Sequence, residues 1–537
     1  MTAQVVHNSL LTIKQRVALA NDLIQDWSTA NVYLGVGAEL PYAANDALVV
    51  VPNQSTDYIN AVNRNLIAIK KVTAADMAFV VPRIDWQSGT VYDMYDSSSD
   101  MYTTIKYTST NGTVNSNNSR TISGANTSFL TQFSPGNFVY FSGDGLNVAP
   151  QFRQVTDIFS NTSMNVNTAI TGAIVQNTAF LVTDSSPKYA KKFYVRNKYD
   201  QVFICLFNNN GAQSTTMPQI SIGGELPEKP YIITADGYKW KYLYTIPAGQ
   251  KKLFFSKDWM PVFKNSTVVA SAVDGQIDII LINNTGSGYN QNVASNTANI
   301  LTVSGDGTGA NLSAKVDANG AIFDINVLNG GSSYTTANVV ITSQSGSNAN
   351  LRVIIGPTGG HGFDPVVELG ASSVMLSVEL SGTESGTLPT GASVGTGIFD
   401  YRQISILKDP LLTSGHVASN ANYSTITSVS TQPLPSGQFF NIDETVYQGV
   451  SLAAATFVGS VVFWDDVNSV LWLNNISGTF TPQAPIIGTI QTSPVTAFIK
   501  TDPIIKLFSG KVLYLNNVLP VIRGADQTEQ VRAIFSF

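Results

Sequence analysis

Three histidines, His7, His361 and His416, are the only imidazoles in the 537 residues. None stands at a metal-ligand spacing from another. One lies in the local motif best suited to chemistry, Gly359-Gly360-His361-Gly362-Phe363-Asp364-Pro365. A histidine and an aspartate on a glycine-rich loop have the parts of a general acid–base pair. The same string reads equally as a tight loop whose glycines supply backbone angles other residues avoid, and this is the reading taken. Acids gather at Asp93/Asp96/Asp100 and at Asp465/Asp466. Glycoside hydrolysis needs two carboxylates at a spatial separation that sequence does not fix. Neither cluster reproduces an EF-hand loop, so both read as loop acids. Tyr92, Tyr95 and Tyr102 have rings that could stack on sugars, although packing is the commoner use of such rings. Cys205 sits in Val202-Phe203-Ile204-Cys205-Leu206-Phe207, where a buried, inert thiol is expected. A single cysteine excludes an intramolecular disulfide framework. The expectation is therefore no catalytic residue, no cofactor and no metal: a chain that is not an enzyme.

The elements that carry these residues are mostly strands. Charged residues are only 12% of the chain, against about 25% in ordinary globular proteins, while hydrophobic residues are 43%. Ser, Thr, Asn, Gln and Gly fill the deficit, and these favour strands and turns over long helices. The net charge is −6 with no basic block, so nucleic acid is not an expected partner. No uninterrupted apolar run is long enough to span a bilayer, so no membrane insertion is expected.

The first hundred residues are the most helical, with Ile13, Val17, Ala20, Ile24 and Trp27 near one face. Residues 31–37 read as a strand. A second helix begins at Thr56-Asp57 as cap, and Ala78–Pro82 is a strand ending at proline. Trp240, Tyr242, Tyr244 and Ile246 alternate at period two, which predicts a half-buried strand with bulky residues on one face. The stretch from Gly275 to Tyr289 matches the stretch from Gly320 to Tyr334: a strand, then a Gly/Ser turn closed by tyrosine. Tyr289 and Tyr334 should hold equivalent positions in two superposable units. The chain ends in alternating Val531, Ala533, Phe535 and Phe537, which predicts a docked terminal strand with both phenylalanines buried.

Four islands occur in order: Val81-Pro82-Arg83-Ile84-Asp85-Trp86, then residues 235–243 (Ala-Asp-Gly-Tyr-Lys-Trp-Lys-Tyr-Leu), 401–406 (Tyr-Arg-Gln-Ile-Ser-Ile) and 527–537 (Gln-Thr-Glu-Gln-Val-Arg-Ala-Ile-Phe-Ser-Phe). Together with Asn31-Val-Tyr-Leu-Gly-Val-Gly37 they resemble the baseplate wedge subunit of T-even-like contractile-tailed bacteriophages, the product of their gene eight. The resemblance covers roughly the first 105 residues, 185–265, 400–412 and 510–537. The segments between are similar to generic β-modules of tailed-phage structural proteins, especially those of cyanobacterial phages, which makes this chain an elaborated, cyanophage-like relative. The resemblance implies a non-enzymatic virion protein assembled in the host cytoplasm. It also implies a homodimer that contacts other baseplate wedge proteins. Rival readings are a receptor- or sugar-binding tail protein and, behind it, a tail-associated polysaccharide hydrolase.

The expected architecture is mainly β and multidomain, a discontinuous α+β core domain with inserted β-sandwich or barrel modules. Residues 1–107 form the N-terminal part of the core and 501–537 its C-terminal strand. Between them lie a small β module (108–184), a β domain with the family motif (185–273), a two-unit β repeat (274–357), connecting loops with a core strand (358–438) and a third β module (439–500). Residues 1–105 and 510–537 are expected to share one domain.

Overall fold

A computed structural model of the chain describes residues 12–38, 49–52, 55–99, 101–102, 106–109, 111–133, 138–141, 151–177, 179–183, 191–221, 231–290, 297–298, 300–343, 345–393 and 397–537. Strand accounts for 46% and helix for 13%, so the mainly β, multidomain reading holds. His7 and Asp100 lie outside the described residues.

The chain forms two compact units, each discontinuous in sequence. One takes residues up to Ala20, Phe79–Ser373 and Ser536–Phe537; the other takes Asn21–Ala78 and Val374–Phe535. Residues 1–107 are therefore divided rather than forming one piece of a core. The physical reason is strand pairing. Val32–Gly37 and Leu66–Lys71 join strands from the C-terminal part of the chain, which draws them into the second unit.

In the second unit a five-stranded antiparallel sheet runs in the order Asn422–Ser424, Leu66–Lys71, Val32–Gly37, Asp400–Lys408, Lys511–Ile522. Val32–Gly37 is central and buried at every residue. A Cβ at Gly35 would lie 2.5 Å from the Ser405 hydroxyl and 2.8 Å from Leu66 and Leu407, so only glycine fits. The helix Thr56–Asn65 is capped one residue earlier than expected: Ser55 Oγ accepts the orphan Tyr58 N–H. Thr427–Thr431, Thr445–Gln448, Phe457–Asp465, Val470–Gly478, Pro485–Gly488 and Val495–Thr501 close into a six-stranded barrel filled by Phe440, Trp464, Leu471 and Leu473. It begins at Thr427, ahead of the expected boundary at 439. Buried Arg402 pairs with Asp400 at 3.0 Å and with Asp443, just ahead of the second barrel strand, at 3.1 Å. Such pairs constrain geometry more than they stabilise.

The C-terminal strand Thr528–Ser536 pairs with Ser373–Ser381. Val531 is buried, but Phe535 and Phe537 are half-buried rather than enclosed, because this is an edge strand. Phe535 still rests edge-on against Trp27 and Tyr514, with ring centroids 5.2 and 5.8 Å away.

In the first unit, eight strands between Lys106 and Thr183 form a half-barrel around Ile122, Phe129, Val139, Phe141 and Met164. A four-stranded sheet follows, in the order Tyr194–Arg196, Gln201–Phe207, Lys239–Thr245, Ile232–Ile233. The third of these strands differs from the half-buried expectation. A register shift near Leu243 sends Trp240 and Tyr242 into one apolar cluster and Leu243 and Tyr244 into another, so both faces are covered.

The repeat is interleaved. Ile277–Ser287, the first strand of copy one, pairs with Ser347–Ile355, the last of copy two. Reciprocally, Thr308–Val316 pairs with Ile322–Ser332, and the middle strands Leu301–Gly305 and Ala337–Ile341 pair with each other. The two turns match in detail. Gly286 N–H donates to Asn284 Oδ1 at 3.0 Å and Gly331 N–H to Asn329 Oδ1 at 2.9 Å. Tyr289 and Tyr334 are both 5% exposed, and their hydroxyls accept from Ala349 N–H and Ala310 N–H at 3.3 and 3.4 Å, each in the opposite copy.

Candidate functional site

The glycine-rich loop at 359–365 is placed where sequence drew attention, but its histidine faces inward. Gly360 has φ +89°, and a Cβ there would lie 2.4 Å from Val273 O, so the loop closes tightly on its neighbour. His361 is 5% exposed. Its Nδ1 lies 2.5 Å from Glu368 Oε1, and its Nε2 lies 3.8 Å from Asp278 Oδ2. The Tyr95 ring meets the imidazole edge-on at 4.7 Å. Glu368 Oε2 accepts the Gly362 N–H at 2.7 Å, fixing the carboxylate. Asp364 takes no part in this cluster: it caps the short helix Pro365–Glu368 and pairs with Lys264 at 3.0 Å. The His361/Asp364 pair is thus not assembled, and His361 is instead enclosed between Glu368 and Asp278.

Burial sets the electrostatics. It pushes the Asp278 carboxyl up, against the opposing pull of His361 and Lys241. It pushes the Lys241 amine down, against the pull of Asp278 and Glu368. Tyr95 is raised by burial and by the acids Glu368, Asp96 and Asp278. Asp278 Oδ1 is buried without a hydrogen bond. His361, Glu368 and Asp278 are all buried, with Glu368 at Nδ1 and Asp278 on the Nε2 side of the ring.

A second constellation surrounds the first island. Asp85 takes hydrogen bonds from Arg83 Nε and Arg196 Nε, both at 2.8 Å. Arg196 also pairs with Asp200, which holds Lys251 at 2.9 Å. Arg83 and Arg196 stack over the Phe255 ring at 4.5 and 4.7 Å. Burial alone would raise Asp85, but the two guanidiniums win and hold it below the usual carboxylate range. Beside this network lies a polar cleft of about 340 Å³ with Arg83, Asp85, Tyr92, Lys192 and Lys257 in its walls.

No protein-family model matches this chain, and no curated protein does.

The four islands nonetheless have definite structural work. Residues 81–86 supply Asp85 and Arg83 to the network above. In the second island, Asp236 Oδ2 accepts from Thr215 N–H and Thr216 N–H at 2.7 and 2.9 Å, and Tyr238 stacks on Trp240. Residues 401–406 lie in the strand between Val32–Gly37 and Lys511–Ile522, and 527–537 form the edge strand.

The remaining candidates are dispersed. Asp93 accepts the Lys192 N–H at 2.8 Å, and Asp96 is held by both terminal nitrogens of Arg352 at 2.8 Å. Asp465 closes a hairpin through Asn468, beside exposed Asp466. His416 is exposed, its ring Nδ1 lying 3.3 Å from the Ser414 hydroxyl. Tyr92 and Tyr95 are buried, and the half-buried Tyr102 donates its hydroxyl to Glu368 O at 2.9 Å, so these rings pack. Cys205 is buried and burial pushes its thiol up. Among the described residues no group of three or more His, Cys, Asp or Glu is arranged to hold a metal, and no helix is long and apolar enough to cross a membrane. Sequence reasoning misses Asp278, Glu368 and Lys241. A usable signal exists for two of them: a lone acid in Ile277-Asp278-Ile279-Ile280-Leu281, and a lysine between Trp240 and Tyr242.

Proposed function

We propose that this chain is a structural subunit of the baseplate wedge of a contractile-tailed bacteriophage. It holds neighbouring wedge proteins together and transmits the rearrangement that starts sheath contraction. The supporting observation is how the resemblance partitions over the fold. The four islands build internal sheets, turns and ion-pair networks. Three stretches outside the resemblance, the half-barrel, the interleaved repeat and the barrel, each fold around their own apolar core. That is the organisation of a scaffold elaborated by added modules, whose extra surfaces are free to take extra partners. On this reading the chain is a homodimer, resides in the virion's tail baseplate and is assembled in the host cytoplasm.

The test is assembly. Light scattering of the purified protein should give a dimer. Co-expression with the neighbouring tail genes should give a stable complex, and tail-tip density should place the chain in the wedge. Density placing it in a distal fibre would favour the receptor-binding alternative. Cleavage of host surface polysaccharide, lost in His361→Ala or Asp364→Ala, would overturn the structural reading.

A further inference from the structure

A bulge turns Asp278 into the protein. The entry strand of the interleaved repeat, Ile277–Ser287, slips register at this residue: Ile277 faces Ile355, while Ile279 faces Ile354. Asp278 is the extra residue, and a bulge re-aims the side chain it carries. Successive side chains of an unbroken pleat take opposite faces. Here three in a row are buried, with Ile277 0%, Asp278 6% and Ile279 2% exposed. The carboxyl meets His361, whose Nε2 lies 3.8 Å from Oδ2, beyond hydrogen-bond reach, and Oδ1 has no partner.

The site has too few donors for two ionised acids. A neutral imidazole carries one N–H and one lone pair. Nδ1 lies 2.5 Å from Glu368 Oε1, and Glu368 Oε2 also accepts the Gly362 N–H. A ring that donates from Nδ1 turns a bare Nε2 toward Asp278. A ring that donates from Nε2 leaves a bare Nδ1 against Glu368. One ring proton thus serves one acid, and an unanswered buried carboxylate bears the full cost of desolvation. Asp278 is the acid with fewer donors. The other titratable groups around the cluster are Tyr95, edge-on to the imidazole, Tyr231, Lys241 on Lys239–Thr245, and the Asp96–Arg352 pair, which joins the Tyr95 segment to the facing strand. His361 and Lys241 favour the ionised acid, and burial outweighs them.

We propose that Asp278 is a proton-dependent latch: held neutral, it seats the entry strand of the interleaved repeat against the His361–Glu368 loop, and its ionisation releases that seat. Burial raises the folded carboxyl above its unfolded value of about 3.9. The latch's contribution is therefore complete below that value and is lost as pH rises through the folded one. Its release loosens the junction between the repeat and the rest of its unit and leaves the repeat's own apolar core in place. The latch stands apart from the wedge reading and is tested separately from it.

The experiment is hydrogen exchange of the full chain from about pH 5 to about pH 9, corrected for the intrinsic pH dependence of exchange and read segment by segment. Opening of Ile277–Ser287 should be level at the acid end and then climb by up to about tenfold per pH unit, the limit for one proton. The half-barrel strand Thr121–Ala125 of the same unit should show no such climb. Asp278→Asn, which keeps the size and cannot ionise, should level the profile. Infrared spectroscopy at the acid end should show the band of a protonated carboxyl that Asp278→Asn lacks. A wild-type entry strand whose opening ignores pH overturns the proposal. A climb shared by the half-barrel does so too, since it reports general loosening. So does a climb kept in Asp278→Asn and lost in Glu368→Gln, which puts the proton on the other acid. The first two outcomes are read on the wild-type chain, so neither depends on a variant folding.

Discussion

Replacing Phe535 by alanine tests whether the chain end belongs to the fold or to a neighbour. A fully buried phenylalanine cut to alanine costs about 3–5 kcal/mol. Phe535 is half-buried, so its apolar share is about half of that. Its edge-on contacts with Trp27 and Tyr514 add a part of the roughly 0.5–1.5 kcal/mol that well-made ring pairs give. The sum is about 2–3 kcal/mol, which in a unit of roughly 150–250 residues lowers Tm by about 4–12 °C. Calorimetry of the isolated protein reads the shift, and hydrogen exchange over Thr528–Ser536 shows whether the strand itself has loosened. An unchanged Tm with lost wedge assembly would refute the reasoning and make the end a hook for another subunit.

Gly286→Ala and Gly331→Ala should be equally damaging. Each forces alanine to φ near +60° with its Cβ 2.5 or 2.4 Å from a backbone oxygen, at about 1–3 kcal/mol for the backbone alone; unfolding midpoints that differ widely would break the equivalence of the copies. Arg352 holds Asp96 well below the usual carboxylate range, so the pair's contribution is complete above the unfolded value of about 3.9 and fades as pH falls through the folded one. Asp96→Asn should therefore flatten the acid limb of the urea midpoint plotted against pH, and an identical limb in both proteins would remove the pair from the account. His361→Ala and Asp364→Ala should cost purified protein no hydrolytic activity, assayed on host surface polysaccharide; activity lost in either variant contradicts the structural role given to this loop.

What the sequence disclosed, and what it hid, follows from the range of the interactions. Local rules carried the helix Ile13–Thr29, the loop acids at Asp465/Asp466 and the paired tyrosines, since each is set by residues a few positions apart. The interleaving of the repeat was not legible. Two similar strand-turn-strand strings are compatible with side-by-side stacking or with exchange of strands, and only the pairing of Ile277 with Ile355 decides. The register shift near Leu243 was hidden because period-two alternation assumes an unbroken pleat. The division of the N-terminal segment between Ala78 and Phe79 depends on partners far along the chain. Asp278, Glu368 and Lys241 escaped notice because isolated charges look like surface until the fold encloses them. The terminal phenylalanines are less buried than expected, because a strand's own pattern does not say whether it has one neighbour or two.

The pairing of Ile277 with Ile355 also decides how the interleaved module bears load. Its entry and exit strands lie side by side with their outer ends together, so tension along the backbone opens it like a zipper from that end, one hydrogen-bonded rung at a time. The rungs most at risk are the first ones. They are also where the rest of its unit holds the module: Ser97 Oγ accepts the Ile355 N–H at 3.3 Å, Arg352 is forked onto Asp96, and Asp278 Oδ2 lies 3.8 Å from His361 Nε2 one residue into the entry strand. These side-chain contacts form a stop at the mouth of the zipper, so that a sudden pull loads them before it reaches the rungs behind.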